Sequence, residues 1–469
     1  MTVLDQLRAA LGEDAVLTGA DTTKWQSDWT GDYTVNPLAV LRPRSTADVS
    51  AIMKVAYNTG TPVVPVSGNT GLTGATSNDG ALMVSLDRMN AVRAIDVAGR
   101  SITVEAGMIL SAIHDAVDQE NLIFPVTFGA RGTAMIGGIL STNAGGSNVL
   151  RYGNTRDLCM GIEVVLPDGR IMDLMSELHK DNSGLNLRNL MIGAEGTLGI
   201  ITAAVLKLYP KPIAYATAMA AVPTLEDALT LLNAMQDATG GAVEAFEYMP
   251  QTYIARHMAR IDGARRPFDN DYDVNVMIEV GATADKDGAP GPDGTIPIVA
   301  QLEAALGRMF EDGTVLDAVV AQSEAQRAEM WARREVAGEI LFEPGVAVNT
   351  DIAVPLRKVG ETLRMITEGL KALDPDVTEV VVAHLGDGNI HHTSYPRRNS
   401  PEVKAKMVEV VEDAVAAARG SFSAEHGVGV SKLATMRRRK DPVALDVMRA
   451  IKQAIDPKGI MNPGKVIPD

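Results

Sequence analysis

Apolar residues recur along the chain with two periods, and the switches between them outline the fold. Leu4, Leu7 and Leu11 stand at helical spacing, and an aromatic, polar segment follows from Trp25 to Tyr33. From Pro37 short β-branched runs alternate with helical ones. Residues 39–43 and 62–66 read as strands; 49–58 reads as a helix capped by Ser45 or Thr46 and closed at Gly60. Further strands are predicted over 81–85, 94–96, 101–106, 161–170 and 200–209, with a helix over 109–119. Pro210-Lys211-Pro212 breaks the pattern and marks a domain boundary. Beyond it strands are predicted over 216–222, 243–248, 274–280, 346–354 and 377–384. Helices are predicted over 225–235, 297–310, 323–341 and 401–418, and 282–295 reads as an exposed loop. This order predicts an α+β arrangement.

Three glycine-rich runs interrupt the periodic segments. Ser67-Gly68-Asn69-Thr70-Gly71-Leu72 directly follows a buried strand, and its backbone N–H groups can approach and cradle a phosphate. It is neither a Walker loop nor G-x-G-x-x-G. The second run, 127–148, carries Gly132, Gly137, Gly138 and Gly146 among small polar residues. Such glycine density predicts an ordered loop rather than a helix or strand, one that brings backbone close to a large ligand. The third, Met191 to Thr202, leads into a strand.

The densest candidate chemistry lies in Ala383-His384-Leu385-Gly386-Asp387-Gly388-Asn389-Ile390-His391-His392. Val380-Val381-Val382 before it reads as a strand, the glycines supply a turn, and a second strand leaves toward Tyr395. A hairpin of that shape can aim His384 and His391 at one point. Ser423-Ala424-Glu425-His426-Gly427 adds a carboxylate and another imidazole. His384, His391 and Glu425 make a divalent-metal site with open positions, and His426 a general base. Without thiolates in the set, manganese and iron stay open beside zinc.

Composition narrows the partners. The 469 residues carry 43 basic and 59 acidic side chains, a net charge of −16, which argues against a nucleic-acid binder. Arg437-Arg438-Arg439-Lys440 is the one basic run and reads as a solvated helix end. The single cysteine, Cys159, excludes an internal disulfide and fits a reducing compartment. The first residues lack a basic start and an apolar core, and no apolar run reaches membrane-spanning length. No export signal and no transmembrane segment are expected, and a cytoplasmic location follows.

Taken in order, VSGNTGLTGA, STNAGGSN, VVLPDG and IGAEGTLGIIT resemble the FAD-binding domain of the vanillyl-alcohol-oxidase (PCMH-type) superfamily. HLGDGNIHH, SAEHGVG and Asn462-Pro463-Gly464-Lys465 narrow the resemblance to the FAD-linked D-2-hydroxyacid dehydrogenases. These oxidise D-lactate, D-2-hydroxyglutarate or glycolate. The resemblance spans nearly the whole chain. It implies an N-terminal segment over 1–35, a FAD-binding domain over 36–210, an α+β substrate or cap domain over 211–420, and a segment over 421–469 that returns to the flavin.

The resemblance also assigns roles. Val66, Ser67, Gly68, Asn69, Thr70, Gly71 and Leu72 would hold the FAD pyrophosphate. Gly132, Gly137, Gly138, Ser141, Asn143, Gly146, Glu195, Gly196 and Ile201 would line the rest of the cofactor, and Asn462 would close over the isoalloxazine. Some relatives attach flavin through a histidine in the first loop; none stands here, so non-covalent FAD is expected. The reaction implied passes a hydride from C2 of a D-2-hydroxyacid to flavin N5. His426 would act as base, and a metal on His384, His391 and Glu425, expected to be zinc, would polarise the hydroxyl. Arg334, in Trp331-Ala332-Arg333-Arg334-Glu335, would clamp the carboxylate bidentately. A homodimer is expected; electron-transfer flavoprotein, a quinone and a cytochrome all stay open as electron acceptors. The 2-hydroxyglutarate type carries a threonine and a lysine where this chain has Gly338 and Asn349, so short 2-hydroxyacids are expected to react at least as well. Two other readings stay open on the sequence: a metal-dependent hydrolase of a phosphorylated substrate, and a non-catalytic flavin-binding electron-transfer subunit.

Overall fold

Three sheets, with a two-stranded one beside them, organise the computed structural model, which describes residues 1–343 and 345–468. The first sheet runs Val16–Leu17, Ala39–Leu41, Leu82–Ser85, Val63–Val66. Its last three strands are parallel, because helix Thr46–Thr59 makes the crossover that parallel neighbours require. That helix starts where Ser45 accepts the Asp48 N–H and stops at Gly60, whose φ of 69° continues no α-helix. Helix Val3–Leu11 packs its buried Leu7 into the same core. Met461, near the other end of the chain, pairs in parallel with Val63.

The second sheet is antiparallel, in the order Val92–Asp96, Ser101–Glu105, Ile200–Lys207, Cys159–Val165, Ile171–Leu174. Its central strand, Ile200–Lys207, is buried on both faces up to Leu206, which is why it reads as a largely apolar run interrupted only by Thr202 before Lys207.

The third sheet has seven antiparallel strands: Asp317–Val320, Ala214–Val222, Val274–Ala282, Val243–Pro250, Thr378–His384, Asn389–Tyr395, Val348–Ala353. Alternation divides its side chains. Ala218, Ala220, Phe246 and Ile278 face one core, covered by helices Leu225–Thr239, Pro297–Glu311, Val359–Leu373 and Pro401–Ala418. Met219, Met249, Met277, Val380 and Val382 face the other, partly covered by helices Gln251–Arg260 and Glu324–Glu335. The uncovered part of that second face looks toward the glycine-rich loops.

Two expectations are corrected. The second glycine-rich run contains helix Ile136–Thr142. Gly137 and Gly138 permit it: a Cβ at Gly137 would lie 3.0 Å from the Cβ and carbonyl of Ala106, and one at Gly138 would lie 3.2 Å from Ser67 Cβ. The glycines are there for close packing, which outweighs their helix propensity. The basic run is not simply a solvated helix end either. Arg438 and Arg439 both bind the buried Glu412, at 2.7 and 3.0 Å, and pin helix Leu433–Arg439 to helix Pro401–Ala418. Among the described residues no helix is long and apolar enough to cross a membrane.

Candidate functional site

The hairpin of Thr378–His384 and Asn389–Tyr395 carries the two histidines to the uncovered face. Its turn is fixed locally: the Asp387 carboxylate accepts the Asn389 N–H, and Gly388 has a φ of 82° with the Val354 carbonyl 2.2 Å from where a Cβ would lie. Register sets Val382 opposite His391, so His384 and His391 emerge on one side. His392, the next residue after His391, points to the other side and is bound to Glu379 at 2.8 Å.

His384, His391 and Glu425 converge, with one ligand atom from each lying within 4.8 Å of the others. Glu425 Oε2 is 3.9 Å from His384 Nε2 and 3.8 Å from His391 Nε2. An ion with bonds of ~2.1 Å in tetrahedral geometry sets its ligand atoms about 3.4 Å apart, so the cluster fits a divalent cation after small adjustments. The other oxygen of Glu425 accepts the Gly146 N–H at 2.5 Å, and a Cβ at Gly145 would sit 2.5 Å from it. The second glycine-rich run therefore supports the carboxylate.

Two carboxylates that sequence reasoning missed hold this cluster. Glu247 is the cross-strand partner of His384, and Asp351 that of His391. Glu247 Oε1 is 2.8 Å from His384 Nδ1, and its Oε2 accepts from Arg334 Nε at 2.7 Å. A carboxylate on Nδ1 directs Nε2 toward the cluster, the arrangement that fixes ligating histidines. Burial alone would raise Glu247 and lower His384. Their mutual attraction wins, keeping Glu247 below the usual carboxylate range and holding His384 protonated up to about 9. His391 is pushed well below its ordinary value by burial, despite Asp351 nearby, and is a neutral imidazole.

Asp351 ties the second part of the site to the first. Its Oδ2 accepts the N–H groups of Glu425 and His426, each at 2.9 Å, and its Oδ1 accepts from Asn389 Nδ2 at 2.9 Å. His426 Nδ1 and Lys432 Nζ each lie 3.7 Å from Oδ2. Burial would raise this carboxyl, but His426, Lys432, His391 and the backbone donors hold it far below the ordinary range. The His426 ring stacks on His391 with centroids 5.4 Å apart.

Arg333 and Arg334 are both buried and so are not surface residues of the helix. Only Arg334 faces the histidine cluster, with Nη2 3.5 Å from His384 Nε2.

The loop after Val66 is a second centre. None of the backbone N–H groups from Gly68 to Ala75 donates to an acceptor among the described residues, although Thr73 and Gly74 are buried. Amides without partners are free to bind an anion, and several in succession in one loop suit a diphosphate. Asn69 takes a φ of 53° there, and Gly68 abuts Thr133, whose carbonyl is 2.3 Å from where a Cβ would lie. This donor set fits the FAD pyrophosphate with Ser67, Thr70, Gly71 and Leu72 in the same loop. Gly132 closes the turn Gly129–Gly132, Ser141 lies on helix Ile136–Thr142, and Asn143 caps that helix with its side chain accepting the Arg156 N–H. Gly196 abuts Pro65, and Ile201 lies in the central strand of the second sheet.

Glu195 and Asn462 act between segments. The two oxygens of Glu195 accept the N–H groups of Val428 and Gly429 at 2.7 and 2.8 Å, joining the third glycine-rich run to the turn beyond His426. Asn462 Nδ2 donates to the carbonyls of Ala75 and Glu195, and its buried Oδ1 has no partner.

Comparison with known proteins adds sequence and fold. Residues 211–466 match the family described as FAD linked oxidases, C-terminal domain, and residues 37–175 match the FAD binding domain family. The chain is 35% identical over 453 residues to D-2-hydroxyglutarate dehydrogenase of Xanthomonas citri pv. viticola, covering 95% of this chain and 93% of that protein. It is 32% identical over 471 residues to D-2-hydroxyglutarate dehydrogenase of Stutzerimonas stutzeri, covering 99% and 98%. The crystal structure of p-cresol methylhydroxylase with substrate bound superposes with a TM-score of 0.74 at 16% identity, over 100% of this chain and 96% of that one. At that identity the likeness is one of fold.

Proposed function

This chain belongs to the family of FAD-linked oxidases, and on that premise we propose that it oxidises a D-2-hydroxyacid to the 2-oxoacid with non-covalent FAD. The observation that carries the reading is one juxtaposition. A base, a buried arginine and a metal-ligand set share the face that looks toward a loop of unpartnered amides. When bound, FAD supplies the hydride acceptor and a divalent ion, zinc in this reading, supplies positive charge beside the substrate hydroxyl.

The chain's own residues do the rest. Arg334 is anchored through Nε by Glu247, which leaves its Nη groups to bind the substrate carboxylate. His426 has Nδ1 turned to Asp351, which leaves Nε2 to take the hydroxyl proton. His384, His391 and Glu425 would hold the ion, with Glu247 and Asp351 fixing two of them from behind.

The reading extends to substrate size. Asn349 is neutral and accepts from Thr393, and open space surrounds Gly338, so neither supplies a cation for a distal carboxylate. D-Lactate or another short acid is therefore the substrate class, with D-malate admitted where the ion takes its second carboxylate. The relatives named for D-2-hydroxyglutarate make the comparison decisive. Buried, unpaired Cys159 fits a reducing compartment, and a cytoplasmic homodimer passing electrons to a flavoprotein, quinone or cytochrome completes the reading. The test is anaerobic mixing of the flavoprotein with D- and L-2-hydroxyacids while following flavin bleaching. Bleaching by D-lactate at a kcat/KM no lower than for D-2-hydroxyglutarate is expected. Bleaching by L-enantiomers alone would overturn the reading.

A further inference from the structure

Helix Glu324–Glu335 carries Arg334 near its end, and the tryptophan three residues before it takes no part in the oxidation. Arg327, Trp331 and Arg334 stand at helical spacing, so they share one face of the helix. That face is bound to a buried carboxylate of the seven-stranded sheet. Glu279, on strand Val274–Ala282, is 3% exposed. Its Oε2 accepts from Arg327 Nε at 2.7 Å and from Trp331 Nε1 at 2.8 Å, and its Oε1 accepts from Arg327 Nη2 at 2.7 Å. Thr217, its cross-strand neighbour, donates from Oγ1 to Oε2 at 2.7 Å. The Arg327 guanidinium also lies over the Tyr215 ring, 4.1 Å from its centroid. Its one other carboxylate among the described residues, Glu324, is exposed and 3.5 Å away.

We propose that Glu279 is a positioning residue for Arg334, acting through the helix that Arg327 and Trp331 dock. The inference rests on the reading of Arg334 as the carboxylate clamp. Register supplies the geometry. Glu279 pairs with Ala245, and Glu247 stands two residues beyond Ala245 on the same face. Adjacent strands thus present two buried carboxylates to one face of the helix. Glu247 holds Arg334 Nε directly, and Glu279 holds the two turns before it. Glu247 alone fixes one nitrogen and leaves the helix able to tilt about it. The bidentate arginine contact and the indole contact at Glu279 set the depth and tilt of the helix on the sheet. Trp331 lies roughly 4.5 Å along the helix axis from Arg334, so a shift at one is felt at the other. A misplacement of about 1 Å in a group that orients substrate can cost ~10²-fold.

The test is anaerobic stopped-flow reduction of the holoenzyme by D-lactate, which yields an apparent substrate Kd and a limiting rate of flavin reduction. Glu279→Gln should raise the apparent Kd about tenfold, the size of one lost charge-assisted hydrogen bond, with a smaller fall in the limiting rate. Trp331→Phe keeps an aromatic ring, removes only the indole donor, and should raise the Kd by a smaller factor. In an Arg334→Gln background neither change should add to the loss already present, because the group they position is gone. A merely structural role would instead make the two losses multiply. Where Glu279→Gln fails to fold, Trp331→Phe alone and combined with Arg334→Gln reads the same coupling. Multiplying losses, or wild-type Kd in both Glu279→Gln and Trp331→Phe, would overturn the inference and leave the clamp standing. An unchanged Kd in Arg334→Gln alone would overturn the clamp, and this inference with it.

Discussion

Replacing Glu247 by Gln keeps its volume and removes the charge that faces both His384 and Arg334. The proposed ligand His384 then loses the partner that orients it, and metal affinity should fall about 10–100-fold. Elemental analysis of the purified variant checks this, and wild-type metal content would refute it. The pair also sets a pH dependence. In metal-free protein His384 keeps its proton up to about 9, since attraction to Glu247 outweighs burial. A value raised on folding means that this stabilisation is complete below ~6.5 and is lost as pH rises through about 9. An ion needs the same Nε2 lone pair, so apparent affinity should drop about tenfold for each pH unit below about 9. Metal titrations across that window would show a flat response if the pairing were unimportant. His426→Ala should slow flavin reduction by ~10²–10⁴ with little change in substrate binding, because the arginine clamp is untouched. Stopped-flow traces at saturating substrate separate the two effects.

Elements position these residues, and they can be perturbed as elements. Gly68→Ala would drive a Cβ against the Thr133 carbonyl, and backbone cannot yield as a side-chain tip can. The loop should shift at a cost of about 1–3 kcal/mol, and flavin content should fall while the sheets stay folded. Absorbance ratio and far-UV circular dichroism read the two outcomes. Strand Val348–Ala353 presents Asn349, and Asn349→Lys should raise kcat/KM for D-2-hydroxyglutarate relative to D-lactate by about tenfold, one tenfold step for a new ion pair. The elements themselves were largely legible. Val380 to Val382, the glycine turn and the two histidines are contiguous, so one hairpin brings His384 and His391 together without knowledge of the rest. Glu247 and Asp351 were not legible, because each meets its histidine only through cross-strand pairing, in one case 137 residues away. Nothing in their local sequence distinguishes them from strand residues facing solvent. Helix Ile136–Thr142 was missed for the converse reason: its glycines answer to packing against Ala106 and Ser67, which propensity does not contain.

At the scale of the whole molecule, the flavin half and the seven-stranded sheet are joined by buried polar bonds. Glu244 accepts from Arg151 at 2.7 Å and from Tyr152 Oη at 2.6 Å, and Arg151 also donates to the Gly281 carbonyl. Glu244→Ala leaves that guanidinium without its counter-charge and should cost about 3–5 kcal/mol, seen as a lower midpoint in denaturant. An unchanged midpoint would show that the halves are held elsewhere. The pairing of Met461 with Val63 and the bonds from Asn462 to Ala75 and Glu195 also bear on synthesis. Asn462 leaves the ribosome 387 residues after Ala75. At ~5–20 residues per second that is a wait of roughly 20–80 s, during which the cradle lacks its last strut. Flavin capture that needs this strut would therefore follow release of the chain, and nascent chains arrested before Asn462 should carry no flavin.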